Sequence, residues 1–208
     1  MLISYSHKFI FIHVCKNAGT SIKAALLPYT NNRYQALARK ILRRTAGISI
    51  FNHQLLDGHA TAEEIIHKIG KREFEKYFSF GIVRNPWDWQ VSLYNYTQKF
   101  DQHPHHKLIK ELGSFDNYIH YRCGGRGKLQ RDFLFSQEGE KLVDFVGKYE
   151  NLSEDFGLIC KSIKVSVDLP YLNVSKEKPY QEYYNSKTRE LVCKTFSEDI
   201  EAFGYSFD

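Results

Sequence analysis

The chain has 208 residues, 42% of them hydrophobic and 15% aromatic, enough to build one domain, residues 1–208, with a substantial core. Its net charge of +5 suits anionic ligands but is too small to imply nucleic acid, and no apolar run reaches the length needed to cross a bilayer. Cys15, Cys123, Cys160 and Cys193 lie far apart without metal-type spacing, which points to reduced thiols and a cytoplasmic protein.

In chain order, the apolar residues 9–12 predict a buried strand that leaves no room for a cleavable leader before it. A turn holding Lys16, Gly19, Thr20 and Ser21 follows, then a helix-like segment from Ile22 to Leu27. Residues 31–45 read as a helix with Tyr34, Leu37, Ala38 and Ile41 on one face and five basic residues elsewhere. That basic face is read as a solvated surface, with a rim greeting an acidic acceptor as the alternative. Thr61 and Glu64 form a capping box ahead of a short helix ended by Gly70.

Residues 77–83 predict a second buried strand, and Pro86 opens a helix that runs through Tyr96. His103, His105 and His106 surround Pro104 in a polar insertion read as an exposed loop rather than a metal site. Residues 124–127 form a flexible basic loop. Residues 143–149 read as a strand, 154–162 as a helix, and 189–203 as one amphipathic helix with Leu191, Val192, Phe196 and Ile200 inward. This alternation indicates an α/β fold, a parallel sheet with helices on both faces.

Two segments carry chemistry. A buried strand, a tight turn and a helix N-terminus make an anion cradle, because the turn's N–H groups and the helix dipole point at one spot and Lys16 adds a full charge. The order differs from the Walker loop, where Gly-Lys-Ser/Thr comes last; here Lys16 precedes Gly19 and the hydroxyls end the turn. Arg84 stands at the C-terminal end of the second strand, where ligands of open parallel sheets bind, and Ser92 lies two turns into the following helix. A plain pairing of Arg84 with Asp88 is the alternative.

The turn resembles the phosphosulfate-binding loop of the glycan-type sulfotransferases, which reads roughly His-Val-Pro-Lys-Thr-Gly/Ala-Gly-Thr-Ser. The chain matches it at His13, Val14, Lys16, Ala18, Gly19, Thr20 and Ser21, and departs at Cys15 and Asn17. Arg84 and Ser92 stand at the spacing of the family's element for the 3′-phosphate of the donor PAPS, although many members carry a basic residue where Trp89 stands here. Residues 130–134, 143–152, 169–175 and 199–205 extend the likeness over most of the chain.

The resemblance implies a P-loop-like three-layer domain that moves a sulfuryl group from PAPS to an acceptor hydroxyl and releases PAP. Lys16, Asn17, Ala18, Gly19, Thr20 and Ser21 would hold the 5′-phosphate end, with Lys16 also catalytic; Arg84 and Ser92 would hold the 3′-phosphate. No metal is demanded. His59, in a segment similar to that of the uronyl-directed branch, is the candidate base, with His53 second and His13 third. The expected acceptor is a hydroxyl on a glycan or glycolipid. Two other functions stay open: a small-molecule kinase with a divergent phosphate loop, and a non-catalytic nucleotide- or glycan-binding module. Tyr180, Tyr183 and Tyr184 either stack on a sugar or fill the core.

Overall fold

The computed structural model describes residues 1–30, 58–125, 127–170 and 178–208. The predicted helix at residues 31–45 and the candidate base His53 lie outside the described residues, as do Arg126 of the basic loop and residues 171–177. In chain order the first elements are β1 (Leu2–Ser4), β2 (Phe9–Ile12), α1 (Gly19–Leu26), α2 (Ala62–Ile69), α3 (Lys71–Phe74) and β3 (Phe78–Val83). Next come α4 (Pro86–Lys99), α5 (His106–Leu112), α6 (Phe115–Cys123), β4 (Phe145–Lys148), α7 (Leu152–Ser162), α8 (Ser186–Thr195) and α9 (Ser197–Phe203). They form two compact units, Met1–Val83 with Asp132–Leu172 and Arg84–Arg131 with Asn173–Asp208.

The first unit holds a four-stranded sheet in the order β1-β2-β3-β4. β2, β3 and β4 run parallel, with Phe9 opposite Phe78 and Phe80 opposite Phe145. β2 and most of β3 are buried, as expected for strands covered on both faces. Phe9, Phe11, Phe80 and Ile82 share one face, against which Ile22, Ala25 and Leu26 of α1 and Phe156, Ile159 and Cys160 of α7 pack. Phe11 and Phe80 stack at 5.2 Å, and truncating Phe80 to Ala would cost about 3–5 kcal/mol. On the opposite face, a Cβ at Gly81 would lie 2.5 Å from Leu134 Cδ2, so this strand position must stay bare.

β1 pairs antiparallel with β2, an edge strand that the sequence reading lacked. Three residues are too few to display a period-two pattern. The capping box is present: Glu64 N–H donates to Thr61 Oγ1 at 3.1 Å and Thr61 N–H to Glu64 Oε2 at 2.8 Å.

The second unit is helical. Asn85 caps α4 by accepting from Trp87 N–H at 3.1 Å, with Pro86 at the first helical position. Trp89 is buried edge-on to Phe196 at 6.0 Å, and the Arg122 guanidinium lies 5.9 Å from its ring, so the residue that departs from the family pattern is part of this core. Tyr184 packs on Phe115 and donates to Trp87 O at 2.9 Å, while burial pushes its hydroxyl far above the usual phenol range. Tyr183 meets the same Phe115 at 5.3 Å. These tyrosines therefore take part in core packing.

The single helix expected over residues 189–203 is two helices, α8 and α9, broken at Phe196. Phe196 is buried with φ −108° and ψ 24°, off the helical path. The bend sets Asp199 inward, fully buried, to accept from Gln130 N–H at 2.9 Å and Arg131 N–H at 2.8 Å. Two charge-assisted hydrogen bonds from another segment override the local helical preference.

Candidate active site

In the first unit the chain leaves β2 at Ile12 and enters α1 at Gly19, three residues earlier than expected. Gly19, Thr20 and Ser21 are therefore the first turn of α1, whose amides have no partner within the helix. The N-cap is Ala18, a residue with no side-chain oxygen to offer them. Lys16 (φ 64°) and Ala18 (φ 57°) are both left-handed and flank Asn17. Successive amides wound this way form a concave nest that accepts an anion, and holding non-glycine residues there costs roughly 1–2 kcal/mol each. Asn17 is buried and its Nδ2 donates to Ile82 O at 2.9 Å, fastening the turn to the end of β3.

His13 lies across the floor of this turn. A Cβ on Gly19 would come 1.9 Å from its Nε2, so position 19 admits only glycine without displacing the ring. Burial, then the charges of Lys23 and the amino terminus, pushes its pKa down to about 2. So weak a base does not suit proton abstraction near neutral pH. His13 shapes the turn.

His59 stacks on His13, ring centroids 4.4 Å apart, with Nδ1 3.0 Å from the His13 carbonyl oxygen. A carbonyl only accepts, so Nδ1 carries the proton and the lone pair of neutral His59 is on Nε2. The ring is exposed, two residues ahead of the Thr61 cap that anchors α2. The structure thus brings the candidate base to the turn that bears Lys16.

In the second unit Arg84 follows β3 directly in the chain. Its Nε donates to Asp88 Oδ2 at 2.6 Å, both side chains being mostly buried, so the alternative pairing is present in the structure. That bond uses one of five guanidinium donors. Asp88 and Ser92 are one turn apart on α4, and Ser92 is half-buried. The Arg84 backbone is held by a side chain: Gln130 Oε1 accepts from its N–H at 2.9 Å and Gln130 Nε2 donates to its carbonyl at 2.7 Å. In the sequence Gln130 and Asp199 stand out only as marks of family likeness, because no local pattern links residues so far apart.

His103 and His105 have ring centroids 5.7 Å apart and His106 Nδ1 engages Thr97 O at 2.9 Å. Among the described residues no group of three or more His, Cys, Asp or Glu is arranged to hold a metal ion.

The sequence matches the Sulfotransferase family over residues 1–206, across both units. The chain belongs to the sulfotransferase family. An uncharacterized protein of Archaeoglobus fulgidus is 31% identical to it over 110 residues, which cover 50% of this chain and 82% of that protein. The mostly parallel sheet flanked by helices is the P-loop-like fold of the family. Membership supports sulfotransferase activity, which implies a hydroxyl-bearing acceptor. No described helix of the chain is long and apolar enough to cross a membrane.

Proposed function

We propose that residues 1–208 act as one PAPS-dependent sulfotransferase domain that sulfates a hydroxyl on a carbohydrate or glycoconjugate in the cytoplasm. The observation that carries this reading is the turn at residues 16–18. Two left-handed residues and a side-chain-free N-cap lead into α1, with His59 held against the same turn. The amides around Asn17, Ala18 and Gly19, with the Thr20 and Ser21 hydroxyls, hold the 5′-phosphate. Lys16 neutralises charge growing on the oxygen that bridges sulfur and this phosphate. Arg84 and Ser92 grip the 3′-phosphate.

In the reaction the acceptor oxygen forms a bond to sulfur as the bond from sulfur to the bridging oxygen breaks. His59 Nε2 receives the acceptor's proton, and in-line positioning supplies most of the rate. Cys15, Cys123, Cys160 and Cys193 lie far apart in the sequence without metal-type spacing, which supports a reducing compartment.

Calorimetry with PAP tests the donor assignment: one site is expected per chain, and absence of binding at millimolar nucleotide overturns it. Transfer of labelled sulfate from PAPS to a panel of glycans, glycolipids and simple alcohols then tests the acceptor class.

A further inference from the structure

Gln130 is fully buried, yet both ends of its amide are committed to the backbone of one residue, Arg84. The pair of bonds copies the two-way exchange of a β-ladder at a residue just past the last position of β3. Gln130 is itself fastened from behind. The buried carboxylate of Asp199 accepts the N–H groups of Gln130 and Arg131, and Arg131 Nη1 reaches Glu198 Oε2 at 2.6 Å. The break at Phe196 allows Asp199 to face this way.

We infer that Gln130 and Asp199 are positioning residues for donor discrimination, holding the Arg84 main chain so that its guanidinium meets the 3′-phosphate in register. The inference rests on the proposed role of Arg84. A long side chain amplifies any tilt of its backbone, and a functional group must stay within roughly 0.5 Å of its productive place, so a residue leaving a sheet needs such a brace. Asp88 holds the Nε edge of the same guanidinium at 2.6 Å, which fixes its rotation while Gln130 fixes its root.

The test compares PAP with adenosine 5′-monophosphate, which lacks the 3′-phosphate, on the full chain. Gln130→Glu keeps the acceptor for Arg84 N–H but faces the Arg84 carbonyl with a second oxygen instead of a donor. PAP affinity is expected to fall about tenfold or more, from one lost and one repulsive buried contact, while affinity for the monophosphate stays within about twofold. With PAPS as donor, the KM for donor should rise more than kcat falls. Asp199→Asn, which preserves volume, should move the same ratio in the same direction and more weakly.

A folded Gln130→Glu protein with the wild-type ratio of the two affinities overturns the inference, and so does equal weakening of both nucleotides. Loss of fold in both variants overturns it too, placing the network in stability alone. A wild-type protein that binds PAP no better than the monophosphate sinks the Arg84 assignment itself, an outcome read before any variant is made.

Discussion

The turn at residues 13–18 and the segment from Arg84 to Ser92 each carry a proposed phosphate contact, but they are made of different material. The turn relies on main chain: left-handed Lys16 and Ala18, bare Gly19 beneath the His13 ring, and the open start of α1. The Arg84 segment relies on side chains, with a guanidinium bonded to Asp88 and a backbone braced by Gln130. A backbone site is shaped locally, since its geometry follows from a few torsions and a steric contact. A side-chain site depends on residues brought from elsewhere; Gln130 is 46 residues from Arg84 and Asp199 is 69 from Gln130. Substitutions should therefore act on them in different currencies, stability and turnover in the turn, nucleotide preference in the Arg84 segment.

The largest effect that sharpens this contrast is expected at the proposed base. His59→Ala should lower turnover by about 100- to 10,000-fold and leave PAP binding unchanged, measured by initial rates beside calorimetry. A variant with wild-type turnover removes His59 from the chemistry. Arg84→Ala should weaken PAP by about 10- to 100-fold without altering affinity for adenosine 5′-monophosphate, in a titration of both ligands. Equal loss of both would erase the distinction between the two regions.

Smaller effects probe the turn as a folded object. Gly19→Ala places a methyl against a half-buried imidazole, and denaturant unfolding should show a loss of about 1–3 kcal/mol. The His13 ring, neutral in the folded state down to about pH 2, titrates near 6.5 once unfolded. The unfolded chain then binds the extra proton, so stability is complete above about 6.5 and falls as pH drops below it, by up to about 1.4 kcal/mol per unit. His13→Gln should flatten that part of the profile in unfolding experiments between pH 6.5 and 4.5.

The same contrast explains what could be read from sequence. The turn was legible because its parts are contiguous: an apolar strand, one Lys, one Gly and two hydroxyls announce themselves in residues 9–21. Thr61 with Glu64, and Pro86 at the first position of its helix, were legible for the same reason, each helix start being spelled within four residues. The early start of α1 was not, because Ala18 rather than a glycine or a hydroxyl residue turns the chain there. β1 was too short to show alternation. The break at Phe196 had no local mark: Phe196 and Ile200 keep helical spacing, and the force that bends the chain is a carboxylate answering two amides near residue 130. The brace on Arg84 was hidden likewise, since a glutamine in a polar stretch looks like solvent-facing loop until its partner is known.

With two non-glycine residues wound left-handed, the turn stores roughly 2–4 kcal/mol. On warming, this is where the first unit should loosen before its sheet does. A phosphate seated among those amides opposes that loosening, and nucleotide at a hundred times its dissociation constant would add about 2.7 kcal/mol to the folded state. Melting temperature thus becomes a nucleotide sensor that needs no acceptor, and a route to ranking donors while the acceptor is still being sought.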